Sequence, residues 1–192
     1  MSAFLSLETL AVVAAIAYLV LAIRQNIWCW AAALVSTSVY LYVFYAARLY
    51  METGLQVFYI AMAFYGWYQW RQGDHGDGIA VSSWGVQQHV LALAVILSLT
   101  ALSTLVLGKY TDAAMPLLDS LTTWGSVVAT YMVARKVFEN WHYWFVIDSL
   151  SIYLYMSRDL KQTALLFVLY LVLIVFGVRA WRKDLHQSPA TQ

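Results

Sequence analysis

The sequence predicts an all-α integral membrane protein with seven transmembrane helices, arranged as three helices, one linker helix and three more. Of its 192 residues, 62% are apolar and 11% are charged, whereas a soluble domain carries about a quarter charged residues. Eleven Lys and Arg with ten Asp and Glu cannot wet the outside of a chain whose apolar runs are this long, so lipid must cover much of it. Seven stretches approach the ~20 mostly apolar residues that cross a bilayer. Two groups of three among them also share a sequence pattern.

The first span runs from Phe4 to Ile23. No positive n-region precedes it and no small-residue cleavage pattern is clear, so it reads as a retained helix rather than a signal peptide. The second runs from Ile27 to Ala46 and the third from Thr53 to Trp70. Arg71 to Gly85 is a polar stretch rich in Gly, Asp and Ser, within which 74–78 reads as a flexible, solvated connection. Then come Val86 to Leu107, Met115 to Ala134, Trp141 to Ser157 and Thr163 to Trp181, with a frayed polar tail from Arg182 to Gln192. Charges punctuate the boundaries at Arg24, Arg48, Arg71, Lys109, Arg135 with Lys136, Arg158, and Arg182 with Lys183. Period-two alternation is absent, which argues against membrane-spanning strands.

A net charge of +1 with no basic stripe argues against nucleic acid as a partner. Cys29 is the single cysteine, which excludes an intrachain disulfide or a cysteine-based metal cluster. With seven spans, Arg24, Arg71, Arg135, Lys136, Arg179, Arg182 and Lys183 fall on one side, and Arg48, Lys109, Arg158 and Lys161 on the other. That bias places the C-terminus in the cytoplasm and the N-terminus outside, as expected for a multi-pass protein of the inner (plasma) membrane. A homo-oligomer is left open.

The stretch from Arg24 to Arg71 aligns with that from Arg135 to Arg182. Trp28 meets Trp141 at an offset of 113, and so does Ser38-Val39-Tyr40-Leu41-Tyr42 with Ser151-Ile152-Tyr153-Leu154-Tyr155. After a two-residue gap the offset is 111, pairing Gly66 with Gly177, Trp70 with Trp181 and Arg71 with Arg182. A second triplet following an odd number of helices would be inverted. One extra helix restores its direction, so residues 1–71 and 115–182 form parallel repeats and 86–107 the linker. Parallel repeats of this kind occur in transporters whose site lies between the halves near mid-membrane.

Polar side chains inside spans face a bundle interior or a water-filled cavity. The sixth span holds the densest set, with Asn140 beside Trp141, Trp144 and Asp148 on one helical face. An ionised Asp148 suits a cationic ligand, and the tryptophans suit a flat cationic ring; a plain helix–helix hydrogen bond from Asp148 is the competing reading. Gln56 in the third span could line a path, and Trp70 in Tyr65-Gly66-Trp67-Tyr68-Gln69-Trp70 reads as an interfacial anchor. Asp119 lies in the fifth span among Ser120, Thr122, Thr123 and Ser126, which suit packing. The spans hold His89 and His142, which would have to face each other to hold a haem, so a membrane haem or redox subunit is the alternative of another class. A purely structural subunit is disfavoured by Asp148 and Gln56. The Asp74-His75-Gly76-Asp77-Gly78 loop reads as solvated rather than metal-binding, and no cofactor motif appears.

Two groups of residues carry a family resemblance. One is Leu55-Gln56-Val57-Phe58 followed by Tyr65-Gly66-Trp67-Tyr68-Gln69-Trp70; the other is Pro116, Asp119-Ser120, Arg135-Lys136 and Glu139-Asn140-Trp141 with Trp144. On these motifs the chain resembles the PnuC family of vitamin transporters. The resemblance implies a 3+1+3 fold like that of the SWEET sugar transporters. It also implies facilitated diffusion of an unphosphorylated vitamin, most often nicotinamide riboside, trapped by a cytosolic kinase without ATP or a coupling ion at the transporter. A thiamine-carrying branch, PnuT, is the close alternative, since both vitamins carry a cationic aromatic ring. The substrate-binding residues expected are Gln56, Asn140, Trp141, Trp144, Asp148, Asp119 and Trp67, with no catalytic residue and no cofactor.

Overall fold

The computed structural model describes residues 2–46, 50–71, 79–110, 115–157 and 161–187, except for the side chains of 2–8, 43–46, 50–52, 155, 161–163 and 186–187. Seven helices follow one another: α1 (Ser2–Ile23), α2 (Cys29–Ala46), α3 (Tyr50–Arg71), α4 (Val86–Tyr110), α5 (Pro116–Ala134), α6 (Asn140–Ser157) and α7 (Lys161–Gln187). No strand occurs among the described residues. The expected spans match these helices to within a few residues, except at the end: α7 continues through Arg182 to Gln187 where a frayed tail is expected.

By length and apolar content alone, two helices are able to cross a membrane, Val86–Tyr110 and Ala164–Leu185, while Thr9–Ile23 and Cys29–Tyr42 are shorter apolar runs. Polar residues are carried inside several of the other helices. In α6 these are Asn140, Asp148 and Ser151, all buried, as a bundle interior requires. Helix α4 shows the opposite pattern. It buries Ala92, Ile96 and Thr100, one stripe at a spacing of four, and exposes Leu91, Leu97, Leu102 and Leu105.

Sequential helices pack on each other, α1 on α2, α2 on α3, α4 on α5, α5 on α6 and α6 on α7, and α3 on α5 with α1 on α7 closes the bundle. One end gathers the α1–α2 turn, the end of α3, the segment 79–85, the α5–α6 turn and the end of α7. Trp181 Nε1 donates to Ala22 O at 3.0 Å and Trp70 Nε1 to Val133 O at 3.2 Å. Segment 79–85 is pinned to the α5–α6 turn: Ser82 N donates to Lys136 O at 3.0 Å, and Phe138 N donates to Ser82 O at 2.8 Å. The Glu139 carboxylate accepts from Ser83 Oγ and from Trp84 N. The 74–78 loop lies outside the described residues.

The α1–α2 and α5–α6 turns are built alike. Gln25 and Lys136 sit at φ 51° and 49°, the left-handed conformation that ends many helices. Around them Gln25 N donates to Ala22 O and Asn26 N to Leu21 O; Lys136 N donates to Val133 O and Val137 N to Met132 O. Each pair of positions is 111 residues apart. Burial follows the same offset, with Tyr42 at 61% exposure and Tyr153 at 62%. The 113 register expected for α2 against α6 is therefore corrected: Trp30, not Trp28, corresponds to Trp141. Trp28 is 61% exposed whereas Trp30 and Trp141 are buried. The Ser38–Tyr42 match rewarded identical letters two positions out of structural register.

Trp30 and Trp141 are buried by glycines. A Cβ on Gly66 would come within 2.2 Å of the Trp30 ring, and one on Gly177 within 2.5 Å of the Trp141 ring, so only glycine admits the indoles. The rings continue as a chain: Trp30 to Trp70 at 5.5 Å, Trp70 to Trp181 at 6.2 Å, Trp181 to Trp141 at 5.4 Å. Trp70 is only 3% exposed, so it is part of this plug and not the interfacial anchor expected. Aromatic pairs of this geometry contribute about 0.5–1.5 kcal/mol each beyond burial.

Candidate functional site

Helix α6 starts in the plug and carries the candidate residues inward. Asn140 is fully buried and donates from Nδ2 to Val137 O at 2.6 Å, capping the turn it leaves. Asn140 Oδ1 and Trp141 Nε1 are buried and find no partner among the described residues. Buried polar atoms are nearly always paired, and leaving one unpaired costs about 1–3 kcal/mol. Two orphans side by side at one helix start mark a place where a polar ligand would be welcome. Trp144, half-buried, packs against the core one turn further on. Asp148 is 3% exposed, about two turns from Trp141.

Asp148 has phenols for company. It lies within electrostatic reach of Tyr170, which in turn senses Tyr40, and Tyr170 and Tyr59 both act on Tyr18. Tyr18 and Tyr40, from α1 and α2, thus lie near Tyr170 of α7, and Tyr59 of α3 lies near Tyr18. They were not singled out from the sequence. Tyr59 and Tyr170 are 111 apart, and that offset carried through α3 and α7 would have found them.

The other expected residues do not join this group. Gln56 is buried in α3 at 7% exposure, but fourteen residues of helix separate it from Trp70, about 21 Å at 1.5 Å per residue. Asp119, half-buried, sits in the first turn of α5, about 20 Å along the axis from the α5–α6 turn. There a carboxylate complements the helix dipole. Trp67 packs edge-on against the exposed Trp28 at 5.5 Å on the rim of α2 and α3. Asn140, Trp141, Trp144 and Asp148 thus form one compact stretch, while Gln56 and Asp119 both lie toward the opposite end.

Lys136 is the main residue missed. It is 5% exposed, its ammonium stands 4.7 Å from the Trp70 ring centroid, and burial holds its pKa below the usual lysine range. Its position in the turn gave no sign that the side chain folds inward. The histidines are engaged separately. His89 Nδ1 lies 2.9 Å from the Tyr143 hydroxyl, with the rings stacked. His142 is exposed and meets Phe138 edge-on at 5.6 Å. They do not oppose each other across a cavity, as a haem would need. Among the described residues no cluster of His, Cys, Asp and Glu could hold a metal.

A family model described as "Nicotinamide mononucleotide transporter" matches residues 5–183. The chain is similar to the riboflavin/roseoflavin transporter RibM of Streptomyces davaonensis, 28% identical, covering 85% of this chain and 78% of that protein. It is also similar to the nicotinamide riboside transporter PnuC of Neisseria mucosa, 28% identical over 78% of this chain and 62% of the relative, and to that of Escherichia coli, 25% identical over 77% and 73%. A crystal structure of the vitamin B3 transporter PnuC superposes with a TM-score of 0.78 at 27% identity, covering 94% of this chain and 82% of the other.

Proposed function

We infer substrate and mechanism from the premise that the chain belongs to the nicotinamide mononucleotide transporter family and is a PnuC-type, multi-pass membrane transporter of a small vitamin. The substrate reading is nicotinamide riboside. The observation that carries it is Asp148, a carboxylate 3% exposed inside a helix bundle, beside tryptophans on the same helix. An intramembrane carboxylate is costly unless it meets a cation. The pyridinium ring of nicotinamide riboside is a flat cation, and a tryptophan face binds such a ring with about 0.5–2 kcal/mol. The carboxamide and ribose hydroxyls would satisfy the orphaned Asn140 Oδ1 and Trp141 Nε1.

The two turns that repeat at an offset of 111 support a division into triplets 1–71 and 115–182 with 86–107 as linker. Transport proceeds by rocking of one triplet against the other around a central site, down the substrate gradient, with neither ATP nor a coupling ion. Cytosolic phosphorylation then traps the vitamin. The end bearing the tryptophan plug and most of the Arg and Lys faces the cytoplasm. Nicotinamide mononucleotide is a poorer fit, because Lys136, the buried cation among the described residues, lies in a turn beyond Trp70.

A second reading, riboflavin, is favoured by the extent of the match to RibM. Its isoalloxazine ring is neutral and gains nothing from Asp148. Thiamine, a third, is cationic and would use Asp148 equally. Equilibrium binding of the three vitamins to purified protein and to Asp148→Asn decides among them. Nicotinamide riboside is expected to bind tightest and to weaken by about tenfold in the variant, the equivalent of one ~1.4 kcal/mol contact. Tighter binding of riboflavin, unchanged by the substitution, would overturn the reading.

A further inference from the structure

We propose that a groove between α6 and α7, opening outward on the far side of Trp141 from Asn140, holds an anionic phospholipid, with its phosphate on Arg179 and Arg182 and an acyl chain along Phe145, Val175 and Val178. The groove is about 290 Å³, at the bottom of the ~300–1,000 Å³ range that encloses a small ligand, and it opens outward. Phe145 and Val175 are 51% and 45% exposed. Its floor is Trp141 and Ile174, and its mouth carries the two arginines. Arg179 and Arg182, three residues apart on α7, lie on one helical face, at the end of the bundle where the Arg and Lys side chains collect. An apolar slot with cations at the membrane surface is complementary to a phospholipid rather than to a soluble metabolite, and basic pockets between helices on the cytoplasmic side recognise anionic headgroups.

The chain contains its own comparison. At the 111 offset, Val178 corresponds to Trp67, Arg179 to Tyr68, and Glu139 to Trp28. On α3 the matching place is taken by the Trp67 ring, packed edge-on against Trp28 at 5.5 Å. The second half has neither tryptophan, so Val178 leaves open a slot that the first half fills from within. An arginine then stands where the first half has a tyrosine.

The test uses full-length protein in detergent, with lipid retention measured by native mass spectrometry and thermal stability measured in parallel. Phosphatidylglycerol, phosphatidylcholine and inorganic phosphate are added in separate arms. Phosphatidylglycerol is expected to be retained over phosphatidylcholine by about fivefold for each arginine engaged. The preference should fall to parity in the R179Q/R182Q double variant, with vitamin binding unchanged, and in Val178→Trp. Equal retention of both lipids by the unmodified protein, or a preference that survives R179Q/R182Q, would overturn the proposal. So would stabilisation by inorganic phosphate equal to that by phosphatidylglycerol, which would mark a free-anion site. If Val178→Trp fails to fold, the arginine variant decides alone.

Discussion

Trp70 and Trp181 meet with ring centroids 6.2 Å apart, and each indole N–H crosses to the opposite half of the chain, Trp70 to Val133 O and Trp181 to Ala22 O. Residues 70 and 181 are 111 apart, as are 22 and 133, so one bond is made twice. Both carbonyls also accept from the turn, Ala22 O from Gln25 N and Val133 O from Lys136 N. Removing an indole donor therefore orphans neither carbonyl. Trp70→Phe and Trp181→Phe should each cost about 1–2 kcal/mol, and by similar amounts, read as thermal unfolding in detergent. A silent variant beside a severe one would show that the two contacts are not equivalent.

Gly66→Ala and Gly177→Ala drive a methyl into a buried indole that cannot swing away, because it packs on the next tryptophan of the plug. Overpacking of this kind costs about 1–3 kcal/mol or more. Yield of folded, monodisperse protein should drop for both. Trp30→Leu should partly restore Gly66→Ala, and Trp141→Leu should do the same for Gly177→Ala. If each alanine variant behaves normally by itself, the close approach is wrong.

Gln25 and Lys136 occupy a conformation that glycine adopts without strain. Gln25→Gly should stabilise by up to about 1 kcal/mol, less its bond from Nε2 to Asp184. Lys136→Gly should gain less, since it also loses the ammonium over Trp70. Equal gains in melting temperature would argue against the cation–π contact.

Lys136 also predicts a pH dependence. Burial lowers its pKa in the folded state, partly offset by Asp184. As pH rises above the folded value toward the ordinary lysine range, the unfolded chain holds a proton that the folded one has released, so stability increases over that window. Denaturation midpoints of Lys136→Gln should lack that increment. A variant whose pH profile parallels the unmodified protein would place the ammonium in solvent.

Trp144→Leu keeps an apolar side chain but removes the aromatic face. It should weaken binding of a cationic vitamin by about 3- to 30-fold while leaving a neutral flavin less affected, as titration of each ligand would show. Equal losses for both would point to packing rather than cation recognition.

The helices were legible because apolar length and charged boundaries reflect one requirement, the cost of polar backbone and charge in hydrocarbon. The clustering of Asn140, Trp141 and Asp148 was legible for the same reason, as polar groups held within one helix. What crosses between helices was not. Lys136 turns inward because a left-handed turn residue aims it there, and nothing in Arg135-Lys136 announces φ 49°. Trp67 and Trp141 look alike as letters, yet one lies on a rim against Trp28 and the other is shut in by Gly177. The register error had a related cause: identity over Ser38–Tyr42 outweighed the glycine-to-tryptophan spacing, which constrains shape.

The reciprocal indole bonds bear on ancestry. A lone half-chain ending at Trp70 would have its donor facing solvent and its Ala22 carbonyl without the matching indole. Two identical half-chains would satisfy both at once across a true dyad, the arrangement by which homodimers close. The seam of this transporter has the logic of a subunit interface carried inside one polypeptide, and co-expressed halves cut in the 72–78 stretch would have that seam to find each other by.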